Sequence, residues 1–144
     1  MSYSVDVNVL LYASDVSSPH HKRAAAFVAA RPSDPELFYI AWPTVMAYLR
    51  IGTHSSIFAA PLRPADALAN IKALLALPRV RSIGEVDGFL DAFADATSQA
   101  PARGNQVPDA HLAVLLRQHD VTTLYTRDTD FRRFDFLTIR DPLL

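Results

Sequence analysis

Three aspartates stand where an α/β chain can do chemistry: Asp6, Asp109 and Asp128, with Asp130 just beyond the last. Hard divalent cations take oxygen ligands, and Mg²⁺ in particular uses one or two carboxylates plus waters and substrate phosphates. An ion held in that way can activate water and stabilise charge on a phosphodiester. Each acid also has an ordinary structural reading. Asp6 follows a short apolar segment and is placed to cap a helix. Asp109 falls in a first helical turn, where it complements the helix dipole. Asp128 and Asp130, in Thr126-Arg127-Asp128-Thr129-Asp130-Phe131, suit a turn. Their combination, in this order along one chain, favours a metal site. The chain has no cysteine, which excludes disulfides, thiolate nucleophiles and thiolate zinc sites. No histidine pair has zinc spacing.

The elements that would position these acids alternate. Ser4-Val5 reads as a short buried strand ending at Asp6, with a helix over Asn8–Ala13. Ser18-Pro19 resembles a helix start, and the alanine-rich helix runs to about Ala30. Arg31–Pro35 is a turn. Leu37–Trp42 is a second strand, and Pro43 begins a helix with Val45, Tyr48, Leu49 and Gly52 on one face. Pro61–Pro64 breaks the chain, Ala65–Leu77 is helical, Val80–Ile83 is a strand, and Val86–Ser98 is an amphipathic helix. After a loop at Ala100–Asn105, Pro108 sits just inside a helix reaching about His119. Val121–Thr126 and Leu137–Ile139 are the last strands. This alternation predicts an α/β fold: a three-layer α/β/α sandwich around a mostly parallel sheet of four to five strands. Function in such sheets gathers at the carboxyl ends of the strands. Asp6, Asp109 and Asp128 would meet there.

The length of 144 residues fits one domain, residues 1–144, with enough chain for a real core. Half of the residues are hydrophobic and a fifth are charged, which excludes a disordered chain. No apolar run approaches the ~20 residues of a membrane helix. Asp6 and Asn8 interrupt the first apolar stretch, so no signal-peptide pattern is present. The absence of cysteine fits a reducing compartment. A cytoplasmic protein is the expectation. The net charge of −1 is low for a nucleic-acid binder, but a carboxylate site offsets basic residues elsewhere.

Four segments, SVDVNVLLYA, WPTVMAYLRIGTH, GNQVPDAHLAVL and LYTRDTDFRRF, resemble the PIN-domain ribonucleases and, more narrowly, the VapC toxins of toxin–antitoxin modules. The resemblance spans nearly the whole chain, and PDAHLA and TRDTDF are its most specific parts. It implies a metal-dependent endoribonuclease toxin that hydrolyses RNA, of tRNA or rRNA class, with Mg²⁺ or Mn²⁺. By the resemblance, Asp6, Asp109 and Asp128 hold the metal and do the catalysis. Asp130 helps, and Asn8 and Thr126 orient waters or carboxylates. The resemblance also implies a homodimer and a small VapB-like antitoxin whose tail enters the acidic groove. The chain departs from the family at Ala47, where many members carry a glutamate. Its only glutamates, Glu36 and Glu85, do not fit that role. One well-held ion is the expectation, or a second bound only with substrate.

Arg50, about one turn after Ala47, is a candidate contact for an RNA phosphate or a pocket acid; the alternative is a surface arginine with a packed stem. Arg103, Arg127, Arg132 and Arg133 lie on loops beside the expected site and could steer phosphates. His111 is expected to pack or cap, and His20 and His21 to lie on the surface. Asp87, Asp91 and Asp95 form an i, i+4, i+8 stripe that reads as a solvated helix face. Two other functions compete. A phosphotransfer enzyme would use Asp6 as nucleophile, but Asn8 replaces the second acid and no lysine follows Lys72. A catalytically weak or inactive PIN-like module would mainly bind a protein partner. Ala47 favours that reading, and the group of unpaired acids opposes it.

Overall fold

The computed structural model describes residues 1–144. β1 (Ser2–Val5) is followed by α1 (Val7–Ser14) and α2 (His21–Ala29), and β2 (Leu37–Ala41) by α3 (Trp42–Gly52) and α4 (Pro64–Leu75). β3 (Val80–Ile83) is followed by α5 (Phe89–Ala96) and α6 (Gln106–Gln118), then β4 (Thr123–Tyr125) and β5 (Thr138–Arg140). Short 3₁₀ turns occupy Arg31–Ser33 and Thr129–Arg133. The five strands are all parallel, in the order β3-β2-β1-β4-β5. The expected α/β architecture is the one observed.

Alternation along each strand sends side chains to two apolar layers. Tyr3, Val5, Phe38, Ile40 and Val80 pack with residues of α1, α3 and α4 such as Val9, Val45 and Ile71. Ala41, Ile83 and Leu124 face the other way, toward α6 and the buried Phe131 and Phe134. Helices therefore cover both faces, and the central β1 is buried from Tyr3 to Val5, whereas the edge strands β3 and β5 keep exposed positions. Helix α6 is buried over most of its circumference, with Ala110, Leu112, Ala113, Val114, Leu115 and Leu116 all inside.

The strand order locates the working edge. From β1 the chain winds outward through β2 to β3, then crosses to the other side of β1 to form β4. The winding reverses between β1 and β4, leaving a crevice outside their carboxyl ends. Asp6 and Thr126 are the residues that follow those two strands.

Several boundaries differ from the sequence expectation for identifiable reasons. Trp42 opens α3 instead of ending β2, because Pro43 cannot donate to a ladder but suits a first helical turn. Helix α2 begins at His21, since Ser18 Oγ accepts the N–H of His20 and holds Pro19 in a turn. Helix α6 begins at Gln106, which moves Pro108 to its third position, where no N–H is needed. Gly88 adopts a left-handed φ of 81° and delays α5 to Phe89. Asp87 is thus outside the helix, and the expected acidic stripe reduces to Asp91 and Asp95. No helix is long and apolar enough to cross a membrane.

Candidate active site

The sheet's own hydrogen bonds set the first part of the site. Val5 is in register with Tyr125, and the N–H of Asp6 continues that ladder to Tyr125 O at 3.0 Å. The N–H of Thr126 continues the next ladder to Arg140 O at 2.8 Å. Asp6 and Thr126 therefore sit side by side on rigid backbone. Thr126 is fully buried and its hydroxyl does two jobs. It donates to Asp6 Oδ2 at 2.9 Å and accepts the N–H of Asp128 at 2.9 Å. Its single proton is committed to Asp6, so the lone pair facing Asp128 must accept. One hydroxyl thus orients two of the acids.

Asp6 occupies the N-cap position of α1, yet its side chain forms no cap hydrogen bond. One oxygen of its carboxylate is held by the Thr126 hydroxyl instead. Burial raises its pKa above the ordinary carboxylate value, and the charge of Asp128 adds to the rise. The Thr126 hydroxyl and the N–H groups of Asn8 and Val7 pull the other way.

The turn after β4 supplies two more acids. Phe131 is buried and anchors the 3₁₀ turn to the second apolar layer. Asp128 caps this turn: its Oδ1 accepts the N–H of Asp130 at 2.9 Å. Asp128, rather than Asp130, is the capping residue. Carboxylate oxygens of Asp109, Asp128 and Asp130 all lie within 4.8 Å of one another. Asp6 is outside that close trio but near enough for its charge to act on Asp109.

Asp109 shows most directly what the site lacks. It stands in the first turn of α6, where the helix N-terminus favours a negative charge. Its pKa is nevertheless pushed up to about 6, by burial first and then by the charges of Asp128, Asp6 and Asp130. Only Arg133 acts in the opposite sense. The helix dipole is outweighed by burial together with repulsion from the three other acids. A divalent cation would relieve it, and an all-carboxylate donor set suits a hard ion.

The remaining candidates are placed as follows. Asn8 is exposed in the first turn of α1, next to Asp6. Arg50 is exposed in the last turn of α3 and forms no ion pair with the acids. Ala47 is half-buried one turn earlier. Arg127 bonds Asp141 at 3.2 Å and lies against the ring of His20, away from the acidic trio. His20 and His21 are half-buried rather than surface residues, and His21 Nδ1 bonds Tyr12 O at 3.0 Å. His111 pairs with Glu85 and meets the edge of Phe89, a packing role as expected. Gln106 borders the site without having been singled out by the sequence. A glutamine opening a helix carries no chemical signature of its own.

The family model described as the PIN domain matches residues 3–137. The chain belongs to the PIN-domain family. Within it, the chain is 41% identical to Ribonuclease VapC48 of Mycobacterium tuberculosis over 142 residues, 99% of this chain and 98% of that one. It is 31% identical to Ribonuclease VapC33 of the same organism, over 96% of each. These identities place it among the VapC proteins. Two solved structures share the fold at low identity. VapBC2 from Rickettsia felis, solved with a DNA fragment from its promoter, superposes with a TM-score of 0.69 at 15% identity, covering 97% of this chain and 98% of that one. VapC20 of Mycobacterium tuberculosis, described as a Sarcin-Ricin loop cleaving toxin, does so with a TM-score of 0.69 at 16% identity, covering 96% and 99%.

Proposed function

We propose that this PIN domain is an endoribonuclease, the toxin of a toxin–antitoxin pair, and that Mg²⁺ or Mn²⁺ is its cofactor. The observation that carries the reading is the group of carboxylates at the β1–β4 switch point, where burial and then the charges of three neighbouring acids push the Asp109 pKa up to about 6. Near 41% identity to a chain named a ribonuclease supports the reaction class.

In this reading Asp6, Asp109 and Asp128 hold the ion, with Asp130 assisting. The bound ion supplies Lewis acidity toward phosphoryl oxygens and acidifies water. The chain's own residues set the geometry. Thr126 holds the Asp6 carboxylate and the backbone of Asp128, and the N–H of Asp130 fixes the Asp128 carboxylate. Burial of α6 fixes Asp109. Because Asp109 titrates near pH 6, a proton competes with the ion there, and metal affinity falls below that pH. Asn8 lies at the rim, placed to orient water. The partner we infer is a VapB-like antitoxin, by analogy with neighbours solved as VapBC2 and VapBC-1. We further infer a homodimer and a cytoplasmic protein.

The test is incubation of the purified chain with total cellular RNA, with Mg²⁺ or Mn²⁺, with excess chelator, and with Asp6→Asn. Discrete fragments from the wild type with metal alone are the expected result. Cleavage that survives exhaustive chelation, or full activity in Asp6→Asn, overturns the reading. Ala47 favours a second reading, a partner-binding module without catalysis. That module would leave RNA intact in every lane.

A further inference from the structure

A recess of about 400 Å³ opens beside the acidic trio, lined by Gln106, Thr129, Asp130 and Arg133. Asp130 belongs to both. None of the four is hydrophobic, and no aromatic ring lines the recess. It is built for hydrogen bonding.

Arg133 is the fixed point. It is half-buried, and its Nη2 donates to the carbonyls of Ala100 at 2.6 Å and Pro101 at 3.2 Å. Those two bonds pin the guanidinium plane. Nε and Nη1 have no protein acceptor, and Arg133 enters none of the ion pairs. Its charge reaches Asp109, which places a preorganised cation next to the candidate metal site. Gln106 is oriented just as firmly. Its Oε1 accepts the N–H of Arg103 at 3.0 Å, so the amide oxygen faces the loop and the NH₂ keeps both donors free. The same recess carries the carboxylate of Asp130 and the hydroxyl of Thr129.

Donors from Arg133 and Gln106 and acceptors from Asp130 and Thr129 around one recess fit one chemical group. A phosphodiester accepts only, and suits an arginine fork and an amide NH₂. A carboxylate would repel it, and wants instead a donor such as a ribose 2′-hydroxyl. We propose that Gln106, Thr129, Asp130 and Arg133 form a ribose-phosphate subsite for a nucleotide flanking the bond to be cut. Arg133 and Gln106 hold its phosphate. Asp130 and Thr129 hold its 2′-hydroxyl, which selects RNA over DNA. The subsite rests on the nuclease reading for its place in a reaction, though not for its ability to bind.

The experiment compares the full-length wild type, Gln106→Ala/Arg133→Ala, Arg133→Lys and Thr129→Val, with melting temperatures confirming the fold. Fluorescence anisotropy in chelator follows labelled single-stranded RNA and DNA of the same mixed sequence. The wild type should bind RNA roughly tenfold more tightly than DNA, as one well-placed hydrogen bond to a charged group allows. Gln106→Ala/Arg133→Ala should weaken both strands by about tenfold, with Arg133→Lys between. Thr129→Val should erase much of the RNA preference while leaving DNA binding unchanged. Equal binding of RNA and DNA by folded wild type, or indifference of both strands to the double substitution, overturns the subsite. The same preparations are then given RNA and Mn²⁺. Subsite-dependent binding without cleavage would sink the nuclease reading alone, and cleavage with an unchanged KM in the double variant would sink the subsite alone.

Discussion

The two ends of β1 treat charge in opposite ways. At the amino end, Arg31 is nearly buried, with 9% of its side chain exposed, and its Nε and Nη1 are both bonded. It donates to Phe27 O and Tyr3 Oη, each at 2.8 Å, and to Asp34 Oδ2 at 3.2 Å. Its guanidinium also lies 3.8 Å from the centre of the Phe27 ring. At the carboxyl end, four acids converge and only Arg133 opposes them. The first arrangement lowers the free energy of the fold. The second raises it and persists beside a well-packed core. A paired buried charge is a structural device, whereas a cluster of like charges at a sheet's switch point is a candidate functional site.

Asp109→Asn should break the contrast most sharply. It removes one ligand oxygen's charge and one source of repulsion together. RNA cleavage should fall by at least about 100-fold, since a metal centre supplies several kcal/mol of transition-state stabilisation. Single-turnover cleavage at saturating Mn²⁺ measures this, and an unchanged rate would remove Asp109 from the site.

Thr126→Val comes next. It keeps the shape but leaves Asp6 without its donor and the N–H of Asp128 without its acceptor. Metal affinity or activity should drop by about 10- to 100-fold, the usual effect of losing a group that orients ligands. Thr126→Ser should restore most of it. A titration of activity against Mn²⁺ distinguishes the two.

Arg31→Ala tests the other end. It should cost about 2 kcal/mol, because Tyr3 Oη and Asp34 lose a charged donor and Phe27 loses packing. Chemical denaturation reads that loss, and the RNA cleavage rate should not move. A stable variant with impaired cleavage would erase the distinction between the ends.

The smallest effect is in pH. Asp109 has a folded pKa of about 6, above the ordinary carboxylate value. Between roughly pH 4 and 6 the folded chain therefore binds more protons than the unfolded chain, and stability from this group grows as pH falls through that window. Above about pH 6 the gain is gone. Melting temperatures in chelator should show this slope, and saturating Mn²⁺ should flatten or reverse it.

Much of this was legible in the sequence, for physical reasons. Leu37–Ala41 stood out as a largely apolar, aromatic-rich run, and Val80–Ile83 as a short segment bounded by two buried β-branched residues. The four acids were legible because each ends a strand or opens a helix or turn. Their linkage was not. Thr126 matters because Val5 pairs with Tyr125, and register is a tertiary fact. The raised pKa of Asp109 likewise depends on acids that meet only in the folded chain. Gln106 became visible only when Arg103 fixed the direction of its amide. The start of α5 was misread because the left-handed Gly88 interrupts a periodic pattern that begins earlier in the sequence.

The most direct measurement is a thermal melt of wild type and Asp109→Asn at neutral pH, in chelator and then in Mn²⁺. In chelator the variant should melt about 1–3 °C above wild type, since it relieves repulsion in a partly exposed cluster. In Mn²⁺ at about 100 times Kd the wild type should gain about 2.7 kcal/mol, or roughly 8 °C, while the variant gains little. A wild type indifferent to Mn²⁺ and a variant that melts lower in chelator would contradict the assignment of this edge as a metal-dependent active site.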